Sequence, residues 1–292
     1  MKQVKLELNK SSIKQTEIWK EAGIELPKFD HDKMSALTIE NPTWVHFGAG
    51  NIFRGFIAAL QQTLLDIGEA DTGIVAVEGY DYEIIDKIYT PYDNLSLLVT
   101  MKPDGSLDKK VVGSIAQSFA GDPSRKDDWK RLQSIFSKPS LNMVSFTITE
   151  KGYSLKNISK EDVSDGLINP KSAIAKVASL MYERYRNGEL PIALVSMDNC
   201  SHNGEKLYTA LNTIIEKWAN NGLVEKRFLK YINNSEKVSF PWSMIDKITP
   251  RPSGSVQKTL NSNGFESTDI VCTKNNTYIA PFVNAEGPQY LV

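Results

Sequence analysis

Residues 44–60, W-V-H-F-G-A-G-N-I-F-R-G-F-I-A-A-L, constrain the fold more than any other stretch of the 292-residue chain. A short apolar run, Trp44, Val45 and Phe47, breaks into Gly48-Ala49-Gly50, after which Phe53, Phe56, Ile57 and Leu60 recur at helical spacing. The pattern predicts a strand, a tight turn and a helix. Gly48 lets the backbone turn sharply, and Gly50 lets a diphosphate come close to it. The phosphates would then face the free N–H groups around Asn51, Ile52 and Phe53, at the positive end of the helix. The third glycine of G-x-G-x-x-G would fall at Phe53, and Gly55 comes two residues late. On the motif alone, a cofactor turn and a plain turn fit equally well.

The context favours the cofactor turn. A second apolar run, residues 73–77, ends in Glu78, 28 residues beyond Gly50 (78 minus 50). An acidic side chain at that strand end can accept hydrogen bonds from both adenosine ribose hydroxyls, which favours NAD over its 2'-phosphorylated form. The spacing is long for that role, and Asp81 and Glu83 compete for it. Arg54, early in the helix, is expected to pair with the diphosphate.

Residues 1–42 read as a polar, charged extension packed outside a main domain spanning 43–292. The extension contains a helix over 12–22, a turn at Gly23 and an extended stretch over 26–29. The helix after the glycines is expected to reach residue 67, with Gly68 as its cap. Residues 82–89 read as a short helix. Strands over 95–101 and 109–112, joined across Pro103-Asp104-Gly105, form a hairpin decorating the sheet edge. A helix over 127–137 precedes a buried strand over 143–149. A polar loop over 158–169 leads to an amphipathic helix over 172–186, a strand over 192–197, and helices over 205–220 and 228–232. Strands alternating with helices predict an α/β, doubly wound, mainly parallel Rossmann-type sheet. Ligands collect at the carboxyl ends of such strands. The polar clusters over 48–54, 78–81 (with Gly79), 149–153 and 198–203 lie just there.

Composition removes several other readings. Lys and Arg number 34 against 35 Asp and Glu, with no basic stripe for nucleic acid. The first six residues, M-K-Q-V-K-L, lack the apolar stretch of a secretion signal, and no run approaches a membrane span. A cytoplasmic protein is expected. Cys200 and Cys272 are far apart and without a C-x-x-C partner, so no metal site is expected.

With these clusters in view, the chain resembles the polyol-specific long-chain dehydrogenases, the family of mannitol dehydrogenases and fructuronate (D-mannonate) and tagaturonate reductases. The matching stretches are H-F-G-A-G-N-I-F-R-G-F at 46–56, T-I-T-E-K-G-Y at 147–153, S-M-D-N-C-S-H-N-G at 196–204 and F-P-W-S-M-I-D-K-I-T-P at 240–250. Within the family the hexuronate branch looks nearest. The resemblance implies NAD and a sugar-acid or polyol substrate. It also implies a second, mostly helical domain carrying a catalytic lysine in a K-x-x-x-x-N-x-x-H pattern, which none of His31, His46 and His202 completes. The chain therefore reads as a cofactor domain without the family's C-terminal helical domain, and a non-catalytic dinucleotide module is the rival reading.

By the same resemblance Asn199 polarises the substrate carbonyl, against the plainer reading of a loop asparagine in an Asx-turn. Thr149, Glu150 and Lys151 would meet the nicotinamide ribose, against a solvated charge pair for the last two. Asp246 would lie near the substrate or proton path, against a salt bridge to Lys247 or Arg251. Asn203 reads as a helix N-cap, Asp198 as structural and His46 as a hydrogen-bonded interior residue.

Overall fold

A computed structural model describes residues 5–292; residues 1–4, the start of the stretch read above as lacking a secretion signal, lie outside the described residues. The elements in chain order are α1 (Thr16–Glu21), β1 (Ile24–Glu25), α2 (His31–Glu40), β2 (Trp44–Phe47) and α3 (Ala58–Asp66), the last entered through a π-helical turn at Phe53–Ile57. Next come β3 (Ile74–Glu78), β4 (Ser96–Met101), β5 (Leu107–Val112), β6 (Ile115–Ala120), α4 (Lys126–Phe136), β7 (Met143–Phe146), α5 (Thr149–Gly152), α6 (Lys160–Ser164) and α7 (Ala173–Arg186). The remainder comprises β8 (Ile192–Ser196), α8 (Asn203–Asn220), α9 (Lys226–Ile232), β9 (Val238–Ser239), β10 (Ile245–Lys247), α10 (Gly254–Ser262), β11 (Val271–Cys272), β12 (Tyr278–Ile279), β13 (Phe282–Glu286) and β14 (Gln289–Leu291).

Six strands lie in the order β6-β3-β2-β7-β8-β9, and every neighbouring pair is parallel. By their own order of appearance this is 3-2-1-4-5-6, the doubly wound arrangement whose switch point falls between β2 and β7. All five residues of β3 are buried, as a strand covered on both faces requires. Val75 and Val77 point into a core shared with Trp129 and Leu132 of α4, Val177 of α7 and Leu211 of α8. Ile74 and Ala76 alternate to the other face, against Phe53, Phe56 and Ile57.

The sequence had placed the hairpin on the edge of this sheet, and the structure corrects that. β4 and β5 form the centre of a second, mixed sheet in the order β1-β5-β4-β13, drawing strands from both ends of the chain. The third parallel strand is instead β6, which the sequence reading passed over. It is an edge strand whose Gln117, Ser118 and Phe119 are all half-buried, so no clean alternation marks it. Residues 12–22 divide into a 3-10 turn at Ser12–Lys14 and α1. Four further helices were missed, α2, α5, α6 and α10. α2 buries only Met34, Ser35 and Thr38 behind an Asp30 cap, and α6 is five residues closed by a Ser159/Asp162 capping box, too short to show a period. β7 stops at Phe146 rather than residue 149, because the N–H groups of Ile148 and Thr149 donate to the Asp198 carboxylate.

Candidate cofactor and active site

The loops that leave β3, β2, β7 and β8 lie side by side at the carboxyl edge of the parallel sheet, and polar side chains tie each to the next. Gly48 has φ 113°, and a Cβ there would stand 2.3 Å from the Thr147 carbonyl oxygen, so the turn requires glycine. A Cβ on Gly50 would meet nothing within 4 Å, and the same holds for Gly79. Nothing within the chain demands glycine at Gly50. What the missing side chain leaves accessible is the start of the helix, where the first N–H groups, at Asn51 and Ile52, have no intrahelical acceptor. Open approach and free donors together fit a diphosphate.

Glu78 holds the neighbouring loop. Its carboxylate accepts from the N–H of Ala49 at 3.0 Å, of Tyr80 at 2.9 Å and of Asp81 at 3.1 Å. Burial raises its pKa, outweighing these three bonds. Three of about four lone-pair sites are thus taken, so Glu78 has capacity for one ribose hydroxyl rather than the pair expected. Its rivals are committed elsewhere: Asp81 accepts from the Thr273 hydroxyl, and Glu83 pairs with Lys87 and Lys274. Lys176, which sequence reasoning overlooked in the helix that forms α7, is buried and donates to the Gly79 carbonyl at 2.6 Å and to the Tyr82 hydroxyl at 2.7 Å. Burial lowers its ammonium to about 8.

Under the glycine turn runs a directed chain of hydrogen bonds. The Trp44 indole can only donate, and it does so to Ser145 Oγ at 2.7 Å. At the other end the Thr147 hydroxyl donates to the Gly48 carbonyl, so Thr147 Oγ1 accepts from His46 Nε2–H at 2.9 Å, and the Ser145 hydroxyl donates to the unprotonated His46 Nδ1 at 2.6 Å. His46 is fully buried, stacked on Phe53 at 4.2 Å, and burial pushes its pKa down to about 3. The ring is a neutral Nε2–H tautomer supporting Thr147, which the sequence had read as an interior hydrogen-bonded histidine.

Asp198 joins β8 to β7. Besides the N–H groups of Ile148 and Thr149 it accepts from the buried Tyr153 hydroxyl, and burial raises its pKa against all three bonds. The result is a β-branched Thr149 held at φ 63°, a conformation that persists only when its surroundings impose it. Asn203 was read as an N-cap; the structure makes it the first residue of α8, after His202 at φ 56°. Its amide instead clamps Ser243, donating to the Ser243 carbonyl and accepting from the Ser243 N–H.

The remaining sequence-predicted residues stand apart from this network. Arg54 does not face the diphosphate site; it is 0% exposed and donates to the Ala280 carbonyl, Ser96 Oγ and Asn51 Oδ1. Glu150 pairs on the surface with Lys206, and Lys151 is exposed beside it on α5. Asn199 is exposed, with no side-chain hydrogen bond among the described residues. Asp246 is exposed on β10; Lys247 donates to the Glu286 carbonyl rather than to it. Met197 and Ile245 share a core cluster with Ala49 and Phe53, which roots Asn199 and Asp246 at the glycine-turn end of the sheet. Among the described residues no group of His, Cys, Asp or Glu could hold a metal, and no helix is long and apolar enough to cross a membrane.

Comparison with known proteins agrees with this architecture. Residues 42–277 match the family model described as the mannitol dehydrogenase Rossmann domain. The D-mannonate oxidoreductase of Thermotoga maritima is 49% identical over 294 aligned residues, covering 98% of this chain and 54% of the relative. The D-mannonate oxidoreductase of Escherichia coli is 27% identical over 77% of this chain and 45% of its own length. Among solved structures, Pseudomonas fluorescens mannitol 2-dehydrogenase, in a ternary complex with NAD and D-mannitol, superposes with TM-score 0.76 at 21% identity. That match covers 98% of this chain and 54% of the other. The chain spans about half the length of the relatives it matches.

Proposed function

Since the chain belongs to the mannitol dehydrogenase family, we propose that it is the NAD-binding part of an oxidoreductase that interconverts a keto-sugar acid and its alcohol, fructuronate and D-mannonate being the favoured pair. The observation that carries the cofactor is the pairing of an obligatory Gly48 with a sterically free Gly50 before an open helix start. When bound, the dinucleotide would supply or accept the hydride at its nicotinamide. Gly48, Ala49, Gly50, Asn51, Ile52 and Phe53 would hold its diphosphate. Glu78, with Gly79, would take one adenosine ribose hydroxyl and repel a 2'-phosphate. Thr149, Glu150 and Lys151 would line the nicotinamide ribose. Asn199 would donate its amide to the substrate carbonyl oxygen as charge develops there. Asp246 would stand on the proton path. The proton itself would come from the family's lysine motif, which residues 1–292 do not contain. Hydride to carbon and proton to oxygen balance the reduction.

Identity of 49% to a D-mannonate oxidoreductase supports the sugar-acid substrate over a plain polyol. Calorimetric titration with NADH tests the cofactor: the wild type saturates, and Gly50→Ala keeps its melting temperature while losing about tenfold or more in affinity. A wild type that takes up no dinucleotide would sink the reading. Steady-state assays with fructuronate and with fructose, on this chain and on a version extended by the lysine-bearing segment of the relatives, test the rest. Turnover of fructuronate by the longer protein supports the sugar acid; turnover of fructose alone supports a polyol dehydrogenase. No turnover by either protein favours a non-catalytic dinucleotide module.

A further inference from the structure

Arg54 is a buried cation without an anion. Its guanidinium is wholly enclosed, yet its partners are all neutral: the Ala280 carbonyl at 2.8 Å, Asn51 Oδ1 at 2.9 Å and Ser96 Oγ at 3.3 Å. Its Nε–H has no acceptor among the described residues, and no carboxylate offsets the cost of its burial. Burying a charge is expensive unless something of opposite sign lies close. Arg54 follows Asn51 by three residues, so both sit in the first turn of the helix that starts behind Gly50.

The contact between them fixes the amide of Asn51. A guanidinium can only donate, so the Asn51 atom facing Arg54 is the carbonyl oxygen and the NH2 group points the other way. That Nδ2 donates to no group among the described residues, and Asn51 itself is half-buried at the helix start. Its two N–H donors therefore add to the free backbone N–H groups there.

We infer that Arg54 and Asn51 form a relay: Arg54 holds the Asn51 carbonyl so that the Asn51 amide donates to the cofactor diphosphate, which is also the counter-charge the guanidinium lacks. The inference rests on the dinucleotide reading above and replaces the direct Arg54–diphosphate pairing expected from sequence. Asn51 touches the ligand; Arg54 is a positioning residue acting through it.

Substituting Asn51 tests this without removing the buried arginine, whose loss could unfold the chain. Asn51→Asp keeps an acceptor for Arg54 and gives it a carboxylate, but turns a negative charge toward the diphosphate. Stability and affinity then move in opposite directions, which a merely structural asparagine would not produce. Without nucleotide, the melting temperature of Asn51→Asp should rise by about 2–4 °C, while NADH affinity by calorimetry falls about tenfold or more. Asn51→Ala should lose affinity without gaining stability. An Asn51→Asp protein that is no more stable, or that binds NADH as the wild type does, overturns the relay. If the wild type itself fails to bind NADH, the dinucleotide reading fails first and the relay with it.

Discussion

The tied loops at the carboxyl edge of the parallel sheet and the exposed residues beside them form two sides built on different principles. Where β3, β2 and β7 end, every loop is tied down by a polar side chain, the buried Glu78 on Ala49 and His46 on Thr147 and the half-buried Asp198 on Ile148 and Thr149. Beside them, Asn199 in the loop after β8 and Asp246 on β10, a strand of a separate two-stranded sheet, lie exposed and touch none of this network. Fixing a binding geometry requires supporting groups whose own conformations are locked. On the proposed reading, this chain fixes the cofactor's position, whereas the substrate side is set by whatever closes over it. Substitutions should therefore be costly on the first side and nearly silent on the second.

The largest effect is expected at Gly48. An alanine there brings a Cβ to 2.3 Å from a backbone carbonyl of the neighbouring loop and to 2.6 Å from Thr147 Oγ1, at a φ of 113° that suits glycine. Since the clash is with main chain, no side chain can swing away. Strain and overpacking together should cost on the order of 4 kcal/mol or more, which urea unfolding would register. Gly48→Ala within about 1 kcal/mol of wild type would mean that the tied side is looser than its hydrogen bonds imply.

Acid sharpens the same contrast. His46 has an ordinary pKa of 6.5 that burial brings down to about 3. Between those values the unfolded chain takes up a proton that the folded chain refuses, so stability is lost as pH falls from 6.5 toward 3, by on the order of 5 kcal/mol for this group. Glu78 and Asp198 act with the opposite sign: their raised pKa values make ionisation unfavourable in the fold, so their contribution grows as pH falls through that same acid range. The histidine can be isolated by substitution. His46→Gln should reduce the slope of unfolding free energy against pH near pH 5 by up to one proton. An unchanged slope would show that the unfolded chain gains no extra proton at this position.

How far the sequence reveals these features follows from how local they are. The strand, glycine turn and helix over 44–60 are legible because each rests on neighbours in the chain, and β3 and β8 because a buried strand needs a run of apolar residues. The second sheet pairs residues 24–25 with 109–110 and 97–101 with 282–286, and no periodicity records such distant pairings. The polar ties escape for the same reason. Lys176 reads as one charged residue in an amphipathic helix until Gly79 and Tyr82 are brought to it. Arg54 misleads because a charge beside a phosphate loop suggests direct contact, whereas the π-helical turn carries its side chain inward to Ala280. Asn199 and Asp246 are proposed only on a family resemblance, since nothing in their local pattern separates them from ordinary loop and strand residues.

The smallest effect is expected at those two residues, and its smallness is informative. Asn199→Ala and Asp246→Ala each remove an exposed side chain with no hydrogen bond or ion pair among the described residues. Such changes usually move stability by less than about 0.5 kcal/mol, and neither residue belongs to the diphosphate cradle, so melting temperature and NADH affinity should both match the wild type. On the proposed reading their contribution appears only in turnover by the longer protein, where Asn199→Ala would remove a donor to the developing alkoxide and lower kcat by about 10²-fold or more. A clear drop in melting temperature for either variant would show that the side bearing Asn199 and Asp246 is held by contacts as firm as those around the glycine turn, and the contrast between the two sides would then disappear.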